Sequence, residues 1–297
     1  MPTTTARTDS PGTSTGPRRD RVSPLVRARR LTPACAVATF VVYLAAVQTQ
    51  AGQAFEDATL DGGARGTGSL AELLSLALLE LTPLVALVLL AGVVLLGRRR
   101  GRFVVLLGLA LVVLSVGIVQ VLQETLTRPV LLDSGYRRAD QSFPSGHTAL
   151  ALSTYAATLL AVPARHRRLA VCLAGPWALG VCLAVVTSGW HRPSDVLGAA
   201  LIVLGVAAAA YGCAARAAVR AARPVFAVVA RAMLAACLLP VAAATASLLL
   251  ATAGPSAFSL GRAAILAGGS WTLLGLWWLA RRADAGDRSG GADAATG

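Results

Sequence analysis

The chain is written in long apolar blocks separated by short polar ones. Eight apolar blocks, at 33–50, 70–96, 103–123, 147–164, 169–188, 195–213, 232–252 and 263–280, approach or reach the roughly 20 residues that cross about 30 Å of hydrocarbon as a helix. They predict an all-α polytopic transmembrane helix bundle of about eight spans. Composition agrees: 56% of the 297 residues are hydrophobic and 14% charged, with a mean hydropathy of +0.66, too apolar for a soluble domain of this length. The polar stretches divide the chain into a disordered basic cytoplasmic tail at 1–32, a six-span core at 33–213, two additional spans within 214–282, and a disordered tail at 283–297. A polar stretch of about thirty residues precedes the first span, which therefore reads as an uncleaved anchor.

Charge adds orientation. The net charge is +13 and every basic residue apart from histidine is arginine. The arginines punctuate span ends rather than gathering on one domain, which argues for membrane topology and against a nucleic-acid partner. "GRRRGR" at 97–102, "RHRR" at 165–168, "RAAVRAAR" at 216–223 and the pair after the last span are strongly basic, whereas "EDATLDGGARGTG" after the first span is acidic. With eight spans this places both termini in the cytoplasm of a multi-pass inner-membrane protein. The loop after span three is the exception, because it lies outside yet carries Arg128, Arg137 and Arg138. The cysteines sit in apolar spans without metal-ligand spacing and read as small buried hydrophobes. Glu80, inside span two, is an expensive ionisable group at such a depth.

That topology brings three unusual segments to one membrane face. Arg128-Pro129 follows span three, Pro144-Ser145-Gly146-His147 opens span four, and "GWHRPSD" at 189–195 leads into span six. The Ser145-Gly146 turn at a helix start offers backbone N–H groups and a positive dipole end to an anion. Arg128 supplies a permanent planar charge suited to phosphate oxygens. If Pro193 is the first residue of the helix, His191 and Asp195 share a face, and the carboxylate fixes one ring nitrogen so that the other is a nucleophile. His147 remains as a general acid for a leaving oxygen.

"PSGH" at a helix start, His-x-x-x-Asp some forty residues later and Arg-Pro before both make residues 33–213 resemble the type 2 phosphatidic acid phosphatase superfamily, which also includes vanadium haloperoxidases and bacterial acid phosphatases. The resemblance implies a metal-free, cofactor-free phosphate hydrolysis in two steps. His191 would form a phosphohistidine, Asp195 would orient it, His147 would protonate the departing alcohol, and Arg128 with the backbone of Ser145 and Gly146 would hold the oxygens. A site at the lip of the bilayer implies a membrane lipid as partner, with a lipid phosphate or polyprenyl phosphate as substrate.

Two cations of the family pattern are absent. Its first motif would place lysine at Val121 and its third would place arginine at Val185. Gln123 is a neutral substitute within reach of the first motif, and Arg137, Arg138 and Arg192 are the candidate auxiliary charges. The losses also raise a second reading, a catalytically degenerate lipid-phosphate-binding or transport-associated membrane protein.

Overall fold

The computed structural model describes residues 24–64, 70–132, 141–218 and 255–293, and every regular element among them is helical. The helices are α1 (Pro24–Val42, extended by a π-turn over Tyr43–Val47), α2 (Gln50–Ala64), α3 (Leu70–Gly97), α4 (Arg102–Thr125), α5 (Gly146–Ala161), α6 (Arg167–Thr187), α7 (Pro193–Ala218) and α8 (Pro255–Asp293). Among the described residues, six stretches are long and apolar enough to cross a membrane: Arg30–Val47, Leu70–Arg100, Arg102–Thr125, Ala164–Thr187, Pro193–Ala214 and Ser259–Arg281. The chain is a polytopic helical bundle. The apolar run at 232–252 lies outside the described residues.

Hydrophobic residues on every side of a helix need either protein or hydrocarbon around them. In α3, Leu79, Ala86 and Val93 face the bundle, while Leu73, Leu74, Leu81, Leu84, Leu87 and Val88 form an exposed apolar stripe of the kind that lipid covers. The expected span at 147–164 differs. It is the 16-residue helix α5, about 24 Å long, enclosed by α3, α4, α6, α7 and α8 and buried along nearly its whole length. Its alanines let five neighbours approach, and it is the axis on which the site is built.

The C-terminal carbonyls of α5 need donors, because the last turn of a helix has no intrahelical partners for them. Two arginines of the basic loops supply them. Arg100 Nη1 donates to Leu160 O (2.9 Å), and buried Arg167 donates to Leu159 O (3.1 Å), Val162 O (3.3 Å) and Ala280 O (2.6 Å). The loops at 97–102 and 165–168 therefore meet at one end of α5, and His147 stands at the other.

Three boundaries depart from the sequence expectation. Helix α1 starts at Pro24, inside the stretch read as a disordered tail, and α8 runs to Asp293, into the Gly- and Asp-rich tail. The acidic stretch after the first span, expected as a loop, forms α2 through Ala64. This helix packs beside α8 and the start of α7, where a Cβ on Gly261 would stand 2.9 Å from Thr59 Cγ2 and 3.2 Å from Pro193 Cγ. Cys35 and Cys182 are buried as expected, whereas Cys172 and Cys213 are exposed on α6 and α7.

Candidate functional site

The first turn of α7 carries the central pair. Pro193 opens the helix, a position where its missing N–H costs nothing, and Asp195 falls in the first turn. One carboxylate oxygen, Asp195 Oδ2, accepts from three donors: Ser142 Oγ at 2.6 Å, the Arg192 N–H at 2.9 Å and His191 Nδ1 at 3.2 Å. The bond from Arg192 N–H is the return half of a capping box, so the same oxygen that caps the helix also orients the imidazole. Since Asp195 accepts, Nδ1 carries the proton and Nε2 keeps its lone pair. Asp195 is fully buried, while the His191 side chain retains 12% exposure, enough for a ligand to reach the ring.

Local geometry at the end of α6 delivers His191 to this place. Gly189 adopts φ +67°, the left-handed conformation that ends a helix, and the His191 N–H returns to Val185 O at 2.9 Å. Val185, where the family pattern would place an arginine, has its side chain wholly in the core. It contributes a carbonyl that fixes the histidine and no charge.

The segment 141–145 docks on α7 from the other side. Ser142 reaches Asp195 as above, and the Ser145 N–H donates to the Asp195 carbonyl at 2.9 Å. Phe143 is fully buried beneath Gly198, where an added Cβ would lie 2.5 Å from the ring. Gln123 Nε2 donates to Pro144 O (2.7 Å) and Ser142 O (3.4 Å). These contacts bear on two expectations. The Ser145 N–H is spent on α7, and its hydroxyl caps the N–H of Thr148 (3.4 Å), so Ser145 builds the turn and the helix-start donors left for an anion are the N–H groups of Gly146 and His147. Gln123 holds backbone rather than offering its amide to a ligand. Val121, at the missing lysine position, is 58% exposed on the outside of α4.

His147, the second residue of α5, is half-buried, with its ring edge-on to Trp190 at 5.5 Å between centroids. It lies within electrostatic reach of His191 and of Glu80, whose side chain is on the exposed face of α3. The two histidines thus lie within electrostatic reach of each other, one in the first turn of α5 and one on the α6–α7 turn.

Arg128 is present, but not alone. Its Nη2 pairs with Glu56 Oε2 at 2.9 Å, with side-chain exposures of only 4% and 1%. The other oxygen, Glu56 Oε1, accepts from the Ser194 N–H at 3.3 Å. Burial raises the proton affinity of the Glu56 carboxyl above its ordinary value, and the charge of Arg128 beside it works against that rise. Arg192 is also drawn in: Nη1 lies 3.3 Å from Ser142 Oγ and Nη2 lies 3.6 Å from Asp57 Oδ1. Arg137 and Arg138 lie outside the described residues. Sequence reasoning missed Glu56, Asp57 and Ser142; the helical spacing of Gln53, Glu56 and Leu60, leading into the acidic stretch, was the available signal for the first of them.

Residues 102–219, which span α4 to α7 and hold Arg128, His147, His191 and Asp195, match the family model described as the PAP2 superfamily. No curated protein and no solved structure matches the chain.

Proposed function

We propose that this multi-pass helical protein, whose α4 to α7 match the PAP2-superfamily model, is a membrane phosphatase that hydrolyses lipid phosphate or pyrophosphate monoesters through a phosphohistidine. The observation that carries the reading is the His191–Asp195 pair at 3.2 Å, with His147 at the start of α5 within electrostatic reach of His191. His191 Nε2 attacks phosphorus as the bond to the alcohol oxygen breaks, and His147 gives its proton to that oxygen. Water then attacks phosphorus, His147 takes its proton back, and orthophosphate leaves with His191 restored. Oxyanion charge is met by Arg128, by the N–H groups of Gly146 and His147, and by Arg192, which takes the place of the cation missing at Val185.

The lipid character of the substrate rests on the surroundings. The site lies at one end of apolar helices whose outer stripes suit hydrocarbon, so a phosphorylated headgroup can enter while its acyl or prenyl chain stays in lipid. The arginine-rich loops gather at the opposite end of α5, which supports a cytoplasmic placement for that end and an outer-face placement for the site.

One observation favours a second reading. As folded, the site sets Glu56, Asp57 and Asp195 against Arg128 and Arg192, so an incoming phosphate dianion meets little uncompensated positive charge. That balance suits a lipid-phosphate binder without turnover. Phosphate release from a panel of detergent-dispersed lipid phosphates, with His191→Ala as control, separates the two. Release by wild type alone supports the hydrolase; binding without release supports the binder.

A further inference from the structure

The matched segment begins at residue 102, yet the arm that presents Arg128 is gripped by residues that precede it. Tyr43 Oη and Gln48 Nε2 both donate to Thr127 O, at 2.7 and 2.8 Å. Gln53 Nε2 donates to Pro129 O at 2.6 Å while its Oε1 accepts from the Leu131 N–H at 3.2 Å. One residue on each side of Arg128 is thus tied to the end of α1 or to α2. Glu56, one helical turn beyond Gln53, then takes the guanidinium itself and links it to the first turn of α7.

A buried carboxylate beside a phosphate-binding arginine can act in two opposed ways. It can orient the guanidinium, or it can compete with the ligand by occupying its charge. The geometry distinguishes them. Glu56 engages Arg128 through one terminal nitrogen only, and Arg128 Nε is buried without a hydrogen-bond partner among the described residues. A guanidinium held by a single corner keeps donors for a second anion, because its five N–H groups lie in one rigid fork. The hydrogen bonds to Thr127, Pro129 and Leu131 also fix the arm in place, so that α2 is its support rather than a flap closed over it.

We infer that Glu56 is a positioning residue of the phosphate site, locking Arg128 against the first turn of α7 so that the remaining guanidinium donors serve an oxyanion beside His191. The inference rests on the phosphatase reading for the identity of that oxyanion. It extends the site to α2, and it makes the stretch before residue 102 part of the ligand-binding machinery rather than a membrane anchor alone.

The test uses the purified full chain in detergent, with orthophosphate affinity measured by calorimetry and KM and kcat measured on a short-chain phosphatidate. Glu56→Gln keeps the volume and removes the charge. Orthophosphate binding weakens and KM rises roughly ten- to a hundredfold, the weight of one charge-assisted hydrogen bond, with a smaller change in kcat. The effect acts through Arg128, so Glu56→Gln adds nothing in an Arg128→Ala background. A merely structural role would give additive losses. Tighter phosphate binding in Glu56→Gln would make the carboxylate a competitor and overturn the inference, as would unchanged affinity. Should Glu56→Gln fail to fold, Glu56→Asp keeps the charge but is too short to span both Arg128 and the Ser194 N–H; it weakens phosphate binding if the inference holds and leaves it unchanged if not. Arg128-dependent loss of phosphate binding without turnover in any variant would sustain the positioning role and end the hydrolase reading. Turnover that is indifferent to Glu56 would do the reverse, and a wild type that binds no orthophosphate would overturn the positioning role.

Discussion

Replacing Asp195 by asparagine tests the organisation of the site at its most connected atom. Asp195 Oδ2 accepts three hydrogen bonds, from Ser142, the Arg192 N–H and His191. An asparagine keeps a single carbonyl oxygen and turns the other position into a donor. All three donors share the Oδ2 position, so an amide turned to put its N–H group there gives up the cap from the Arg192 N–H and donates instead to His191 Nδ1. The imidazole then prefers the tautomer protonated at Nε2, which removes the attacking lone pair. Loss of the cap costs about 1 kcal/mol and the change of the other two bonds from charge-assisted to neutral about 1 kcal/mol each, offset in part by no longer burying a charge, so the variant remains folded with a modestly lower Tm. The kinetic loss is larger: a wrong tautomer at a catalytic histidine lowers kcat by on the order of a thousandfold or more. Steady-state phosphate release gives the rate, and nitrogen NMR of labelled histidine gives the tautomer. A kcat within tenfold of wild type, or an unchanged Nδ1-protonated ring with full loss of activity, would refute this account of what Asp195 does.

Other expectations follow from neighbouring contacts. Ser142→Ala removes the shortest bond to Asp195 and lowers kcat about ten- to a hundredfold without shifting KM for short-chain substrates, a split that steady-state kinetics reads directly. Arg192→Ala lowers kcat/KM by roughly ten- to a hundredfold, more than alanine at Arg137 or Arg138, because its guanidinium already stands 3.3 Å from Ser142; equal losses at all three would contradict the ranking. Gly198→Ala drives a Cβ into the immobile Phe143 ring, costing about 1–3 kcal/mol against about 1 kcal/mol gained in helix propensity, and a thermal melt showing stabilisation would be the contrary result. In a variant without native cysteines, Ala54→Cys on the exposed side of α2 reacts with an impermeant thiol reagent from outside the cell and Arg99→Cys does not; reversed labelling would put the site in the cytoplasm.

The parts of this site that sequence reading reaches are the local ones. Pro193 as helix opener, the i,i+4 spacing of His191 and Asp195, and the helix start at Gly146 are each encoded within a few residues, and the structure has all three. Apolar block lengths likewise foretell most of the long helices. The parts it misses are made by distance in the chain. Glu56 meets Arg128 across 72 residues and Ser194 across 138, and Ser142 meets Asp195 across 53. No local pattern marks such pairings. The acidic stretch at 56–68 fits an outer loop by charge alone, and the helix within it is visible only once the spacing of Gln53, Glu56 and Leu60 is set against a partner. Ser145 shows the opposite failure: a helix-start N–H that local rules leave free for an anion is claimed by the Asp195 carbonyl of another helix. Charge balance suffers most, because Arg128 and Arg192 read as bare cations until their carboxylates are in view.

The central claim is that His191 carries the phosphoryl group. Rapid acid-free quenching of the purified protein with a labelled lipid phosphate, followed by mapping of the label, tests it most directly. The account predicts an acid-labile, base-stable phosphoenzyme on His191 that is absent in His191→Ala and accumulates in His147→Ala when the leaving group is a good one. Phosphate release that persists in His191→Ala, or turnover by wild type with no trapped phosphohistidine under conditions that slow its hydrolysis, would contradict it.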